Sequence, residues 1–163
     1  MGPRRRRERG VEIDVRVDSE AVERALARLS AAAADLTPAM LAISGILADE
    51  AERSFEAEAG PDGRAWPDLA DSTKRARGRR GHWPGPMLQV SGRLAGSITG
   101  AHGPDFAAAG TNVVYAAVQQ FGGRAGRGGA AEIPPRPFLG LSARGEEEAL
   151  DVLADHLERA LRA

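Results

Sequence analysis

The chain of 163 residues contains no cysteine, which excludes a disulfide framework and any metal site built on thiolates. Aromatic residues make up only 4% of the sequence, so the core must consist mainly of aliphatic side chains and closely packed alanine. No apolar run approaches the length of a membrane span, and we expect no membrane partner. Lys74 is the single lysine among 22 basic residues, so arginine carries nearly all the positive charge.

The net charge of −1 argues against a dedicated nucleic-acid-binding protein, but the basic residues are concentrated in a few segments. Four consecutive arginines, Arg4, Arg5, Arg6 and Arg7, repel one another and have no apolar surface to bury. Residues 1–10 are therefore predicted to form a disordered basic tail, and residues 11–163 have the length of a single domain. No continuous apolar run follows the tail, so we expect the chain to stay in the compartment where it is made.

Hydrophobic spacing predicts a strand followed by two helices. Apolar and charged residues alternate through Val11–Val17, as in a strand with one buried face. Helical spacing then runs from Ser19 to near Leu36. Thr37-Pro38 predicts a second start, with the hydroxyl as the cap and proline at the first helical position. This second helix carries a wide apolar stripe to about Ala59 and should be the central element of the fold.

Residues 60–86 and 122–137 are rich in glycine, proline and arginine and predict two long projecting loops. In the first loop, Trp66 and Leu69 can fold back onto the long helix. Its basic run, Lys74–Arg80, fits either a solvated loop or a contact with nucleic acid or another subunit.

The remaining segments predict a hairpin and a final helix. Ser97–Gly100 and Phe106–Thr111 have the composition of two short strands joined by a turn. The last helix should begin at Glu146, where three glutamates complement the helix dipole. Its apolar stripe consists of Leu150, Leu153, Leu157 and Leu161. We therefore predict an α+β fold in which a small antiparallel sheet packs with a long central helix and a C-terminal helix.

The sequence offers little support for catalysis. The three histidines, His82, His102 and His156, are far apart and have no partner at metal-ligand spacing. Gly122–Gly129 is unsuited to hold phosphate, because it leads into Pro134-Pro135 and not into a helix. We predict a protein that is not an enzyme, with no catalytic residues, cofactor or metal. A hydrolase with a hidden acidic or histidine site is the minor alternative.

The segment Ala109–Ser142 has the clearest pattern of contact residues. If its first part is helical, Tyr115 and Gln119 share one face, while Gln120 and Phe121 turn away from it.

Three prolines then force an extended path, at Pro134, Pro135 and Pro137. Such a path presents Arg136 and Phe138 for docking with little conformational entropy left to lose. Phe138 can equally close the core. Both readings hold if Phe138 points inward and Arg136 outward.

Four motifs in the order seen here resemble the phage virion morphogenesis proteins, the tail-completion group of Mu-like and P2-like bacteriophages. They are PDGRAWPDL (61–69), MLQVSGRLAGSI (87–98), GTNVVYAAVQQFGG (110–123) and IPPRPFLGLS (133–142). Together they cover most of the chain from Phe55 to Ser142. The family usually has histidine where Gln119 stands and alanine where Pro135 stands, and the arginine-rich start lies outside the pattern.

The resemblance implies a structural virion protein at the head–tail junction or the upper end of the tail. The implied fold is related to neck and tail-terminator proteins, which form rings, commonly hexameric. The implied partners are further copies of the chain, tail tube and head-connector proteins, and DNA in the lumen through non-specific contacts. The chain would be assembled in the cytoplasm of the bacterial host and reside in the neck or tail of the virion.

Motifs and spacing together nominate two sets of residues. The subunit-interface candidates are Asp62, Trp66, Arg93, Tyr115, Gln119, Phe121, Pro134, Arg136, Pro137 and Phe138. The DNA-facing candidates are Arg4, Arg5, Arg6, Arg7, Arg77, Arg79, Arg80, Arg124 and Arg127. A DNA-binding accessory protein that uses the arginine-rich segments is the alternative function.

Overall fold

The computed structural model describes residues 19–162, and these form five α-helices and two antiparallel β-hairpins. The helices are α1 (Ser19–Ala34), α2 (Thr37–Ala57), α3 (Asp71–Gly78), α4 (Ala116–Phe121) and α5 (Ala143–Arg162). The strands are β1 (Thr99–His102), β2 (Ala107–Gly110), β3 (Gly123–Ala125) and β4 (Ala131–Ile133). The predicted α+β class is confirmed. The predicted basic tail and the strand Val11–Val17 lie outside the described residues.

The first two helices follow the predicted boundaries closely, but the cap of α2 differs. The N-cap residue is Leu36 and no side chain caps the helix, so the predicted Thr37 cap is wrong; the carboxylate of Asp35 instead accepts a hydrogen bond from the N–H of Thr37 at 3.0 Å. Pro38 lies in the first turn as predicted. Among the described helices none alone is long and apolar enough to cross a membrane, although α1 and α2 together pass that test as a pair bent by 45°.

Helix α2 is central because both apolar clusters of the described chain lie along it. Near its start, Met40 and Ile43 pack with Ala149 of α5. Near its end, Phe55 joins the main cluster. The other buried members of that cluster are Trp66, Leu94, Val113, Ala116 and Phe138. The predicted return of Trp66 and Leu69 to the body is confirmed, since both side chains are buried.

The β1–β2 hairpin packs flat against α2. Its register pairs Thr99 with Gly110 and His102 with Ala107, about two residues later than predicted for the first strand. The approach to α2 is close at Gly100, where a Cβ atom would lie 3.1 Å from the carbonyl oxygen of Ser44. A side chain here would push the hairpin away from the helix.

Both predicted loops contain regular structure, so the loop prediction is wrong for their centres. Most of the basic run Lys74–Arg80 belongs to α3, where Lys74 pairs with Asp68 and lies 5.4 Å from the ring centre of Trp83. The glycine-rich segment forms β3 and β4, with Gly123 opposite Ile133. Positive φ angles at glycines in the connecting turn make this hairpin possible.

Helix α5 begins three residues earlier than predicted, at Ala143. The Ser142 hydroxyl accepts the N–H of Gly145 at 3.1 Å and caps the helix. The predicted leucine stripe is partly wrong, because Leu150 is 60% exposed and Leu161 is 45% exposed. The buried face instead centres on Gly145 and Ala149, whose small size lets α5 approach α2 closely.

Candidate functional site

Trp66 and Phe138, two predicted interface residues, meet inside the core. Their rings lie against Phe55, with centroid distances of 5.7 Å and 5.1 Å. Trp66 is 5% exposed and Phe138 is 0% exposed. The indole N–H of Trp66 donates to the carbonyl oxygen of Pro137 at 2.8 Å. The reading in which Phe138 closes the core is correct, and neither ring is available to a second chain.

Arg136 is buried, so the prediction that it points outward is wrong. Its Nε donates to the carbonyl oxygen of Pro67 at 2.8 Å and its Nη2 to that of Asp68 at 2.9 Å. Within residues 19–162 no carboxylate lies within ion-pair distance of the guanidinium. Burial lowers the pKa of Arg136, the charge of Arg77 lowers it further, and Asp68 raises it. The two accepting carbonyls explain why a charged side chain can be buried here.

Arg136 and Arg77 line the same pocket, of about 410 Å³, between α3 and the β3–β4 hairpin. The pocket wall also includes apolar and hydroxyl side chains, namely Leu69, Leu88, Ile133, Ser72 and Thr73. Gln119 is part of this wall, and its side-chain oxygen is buried without a partner in the described chain. An unpaired buried polar atom costs about 1–3 kcal/mol. The side-chain oxygen of Gln119 therefore lacks one favourable hydrogen bond in the described chain.

Gln120, which we did not nominate, holds the extended proline segment in place. Its Oε1 accepts hydrogen bonds from the N–H groups of Phe138 and Leu139, both at 2.9 Å. Its Nε2 donates to the carbonyl oxygen of Leu139 at 2.8 Å. The side chain thus satisfies backbone groups that have no strand partner. Spacing shows only that Gln120 turns away from the face of Tyr115 and Gln119, so no signal in the sequence indicated this role.

One face of α4 and its lead-in is apolar and exposed. Val114, in the turn before α4, is 98% exposed, and Phe121 at the end of α4 is 78% exposed; Ala117 lies one helical turn before Phe121 and is exposed as well. Ala117 and Phe121 border an open groove of about 590 Å³ that reaches Phe138 and Leu139. Exposed apolar patches on a protein surface often mark sites of interaction with other molecules, whereas single exposed apolar side chains are common. As predicted, Tyr115 and Gln119 lie on another face, where they line a separate small pocket.

The other interface candidates are spread over the surface. Asp62 is exposed and pairs with Arg64 at 3.4 Å, while Arg93 is exposed in a turn. Pro134 and Pro137 are half-buried. The contacts of the described chain do not join these four residues and the exposed face of α4 into one patch.

The described arginines nominated for DNA lie near α3 and the β3–β4 hairpin. Arg77 is half-buried and donates to the carbonyl oxygen of Pro86 at 3.1 Å. Arg79 and Arg80 are exposed at the end of α3. Arg124 donates to the carbonyl oxygen of Gly129 at 3.1 Å, and Arg127 is exposed in the turn of the hairpin. Arg4, Arg5, Arg6 and Arg7 lie outside the described residues.

Glu50 is a second buried charged residue that sequence reasoning missed. It is 5% exposed, and its Oε2 accepts the N–H of Ser142 at 3.0 Å where α5 begins. Its Oε1 pairs with Arg53, which also approaches Glu148 at 3.8 Å. Glu50 lies on the buried stripe of α2, seven residues after Ile43, and that position was the available signal.

The histidines do not form a site. His156 contacts the carbonyl oxygen of Ala32 at 3.1 Å, while His82 and His102 are exposed. In the part of the chain that the structure describes, no group of three histidine, aspartate or glutamate side chains could hold a metal ion. The features described above are pockets and exposed faces suited to contacts between macromolecules.

Comparison with known proteins finds the same family that the four sequence motifs indicate. Residues 17–158 match the phage virion morphogenesis family. This chain belongs to that family. The predicted resemblance is therefore confirmed, and the match covers almost the whole described structure.

Two relatives align over nearly their full length. The "Putative capsid assembly protein G" of Escherichia phage Mu is 35% identical over 155 residues, which cover 93% of this chain and 98% of the relative. The "Mu-like prophage FluMu G protein 2" of Haemophilus influenzae is 33% identical over 152 residues, covering 93% and 99%. No solved structure shows significant similarity to the chain.

Membership of the phage virion morphogenesis family establishes a structural or assembly role in a bacteriophage or prophage particle. It also favours a non-enzymatic protein associated with the virion. The motifs that carry the resemblance include the buried core residues Trp66 and Phe138, and also Gln120, which binds the backbone of the proline segment.

Proposed function

We propose that this chain acts in tail completion, at the head–tail junction or the upper end of the tail, as a subunit of a homo-oligomeric ring. The observation that carries the proposal is the exposed apolar face of Val114, Ala117 and Phe121, which lies in one of the family motifs. Leaving Phe121 and Val114 in water forgoes about 1.5–3 kcal/mol of burial energy for each side chain. A neighbouring subunit that covers this face would recover that energy.

A ring is also consistent with the exposed arginines of the described chain. Repeated contacts between different faces of identical chains close into rings when the rotation permits it. The exposed arginines Arg79, Arg80 and Arg127 would then be available for non-specific contacts with phosphates of DNA in the lumen. Tail tube and head-connector proteins would bind the two ends of such a ring. The chain would be found in the neck or tail of the particle.

Substitution of Phe121 tests the proposal. Phe121→Ser should convert an oligomer of the wild-type chain to smaller species in sedimentation velocity, while the urea midpoint stays nearly unchanged because the side chain is 78% exposed. Leu41→Ser, at a position 56% exposed on α2, is the matched control and should leave the oligomer intact. A wild-type chain that stays monomeric at high concentration would contradict the proposal.

A further inference from the structure

The pocket between α3 and the β3–β4 hairpin has the lining of an acceptor for an acidic side chain. Arg136 is 4% exposed, and three of its five N–H groups make no hydrogen bond with the described chain. Arg77 adds a second guanidinium to the same wall. Neither Arg136 nor Arg77 has a carboxylate within ion-pair distance in the described chain. Both charges are partly or wholly removed from water, so they make the pocket electrostatically positive. Such a site favours one negative group over water.

The outer face of α5 carries the complementary pattern. Glu147, Asp151 and Asp155 are exposed, and none of these carboxylates forms an ion pair with the described chain. Leu150 lies three residues after Glu147, on the same side of the helix, and is 60% exposed. This side of α5 therefore offers one large apolar side chain next to a row of acids that form no ion pair with the described chain.

We propose that this pocket binds the outer face of α5 from a second copy of the chain. Leu150 of that copy would pack against the apolar wall formed by Leu69, Leu88 and Ile133, and a flanking carboxylate would bind Arg77 and Arg136. The inference rests on the proposed homo-oligomer and names one of its contacts. Since α5 packs on α1 and α2 while the pocket lies beside α3, the contact joins two different faces and repeats head to tail.

A polypeptide fits the pocket better than a nucleic-acid phosphate does. The wall of Leu69, Leu88 and Ile133 has no apolar counterpart on a phosphodiester. A phosphodiester carries no donor, whereas a protein segment brings both N–H groups and carboxylates.

The test compares self-association of charge-neutral variants by sedimentation velocity. Arg77→Gln should weaken self-association at least about tenfold, which corresponds to about 1.4 kcal/mol. Arg79→Gln, an exposed arginine at the end of the same helix and outside the pocket, is the matched control and should have little effect. The double variant Glu147→Gln/Asp151→Asn alters only exposed side chains and should reproduce the loss without affecting folding.

Mixing the two deficient proteins identifies the contact. The Arg77→Gln chain keeps an intact acidic face and the double variant keeps an intact pocket, so an equimolar mixture should form one-to-one dimers and nothing larger. A mixture that stays monomeric overturns the inference. If the wild type oligomerises and Arg77→Gln associates normally, the inference about the pocket is wrong and the ring proposal stands. If Arg77→Gln loses binding to duplex DNA but associates normally, the pocket is a phosphate site. A monomeric wild type overturns both.

Discussion

Glu50 connects the central helix to the start of α5, and its replacement by glutamine should destabilise the chain measurably. The carboxylate accepts the N–H of Ser142 at 3.0 Å and pairs with Arg53, and the side chain is 5% exposed. Glutamine has nearly the same shape, so the change removes the charge without opening a cavity. Its amide has only one acceptor, so it can no longer serve both donors fully.

The magnitude follows from the two hydrogen bonds. A bond to a charged group contributes about 1.5–3 kcal/mol and a neutral one about 0.5–1.5 kcal/mol. Weakening both bonds should lower the free energy of unfolding by about 2–3 kcal/mol. In a chain of this size that equals roughly 4–12 °C in Tm. Urea denaturation measures the loss as a lower midpoint with an unchanged slope.

The pH dependence adds a second signature. Burial raises the pKa of Glu50, but the hydrogen bonds from Ser142 and the charge of Arg53 outweigh it, so the pKa lies below its ordinary value of 4.5. The stabilisation is therefore complete above that ordinary value and is lost as the pH falls through the lower folded-state pKa. The stability difference between wild type and Glu50→Gln should shrink in acid.

The control is Glu52→Gln, at an exposed position of the same helix, which should change stability by less than about 0.5 kcal/mol. Equal stability of Glu50→Gln and wild type at neutral pH would refute the reasoning. A difference that persists unchanged at acid pH would show that the charge is not the cause.

Two further stability predictions concern the segment around α4. Gln120→Ala removes three hydrogen bonds to the backbone and should lower the free energy of unfolding by about 2–4 kcal/mol. A urea midpoint equal to that of the wild type would show that Gln120 does not hold the proline segment in place. Gly122→Ala should cost more than about 1 kcal/mol, because φ is 72° and the new Cβ would lie 2.9 Å from a proline ring. Gly96→Ala, with no neighbouring atom within 4 Å, is its control, and equal losses at both positions would contradict the explanation.

Periodicity predicted α1, α2 and α5 because apolar residues recur at helical spacing in each of them, although only α2 buries a long apolar stripe and α1 has no buried residue. It did not predict α3, whose composition resembles a loop. That helix has no buried residue, and its contacts come from distant parts of the chain, such as the bond from Arg77 to Pro86 and the ion pair of Lys74 with Asp68. Contacts of this kind override local propensity and cannot be read from the segment itself.

The candidate site was predicted in outline, with errors in the direction of individual side chains. The motif around Tyr115 and Phe121 does contain the exposed apolar face. The sequence predicts Arg136 on the surface because charged side chains are mostly exposed, but two backbone carbonyls brought close by the fold accept its hydrogen bonds and allow it to be buried. The position of Glu50 on the apolar stripe of α2 indicates its burial, but its partner, the N–H of Ser142 at the start of α5, is distant in sequence and no local pattern in α2 indicates it.

The position of the chain in the assembled particle tests the central claim most directly. A cryo-electron microscopy map of particles purified from the producing host should show copies of residues 19–162 arranged as a ring at the head–tail junction or the upper end of the tail. Absence of the chain from mature particles, or its presence only in the capsid shell, would contradict the account.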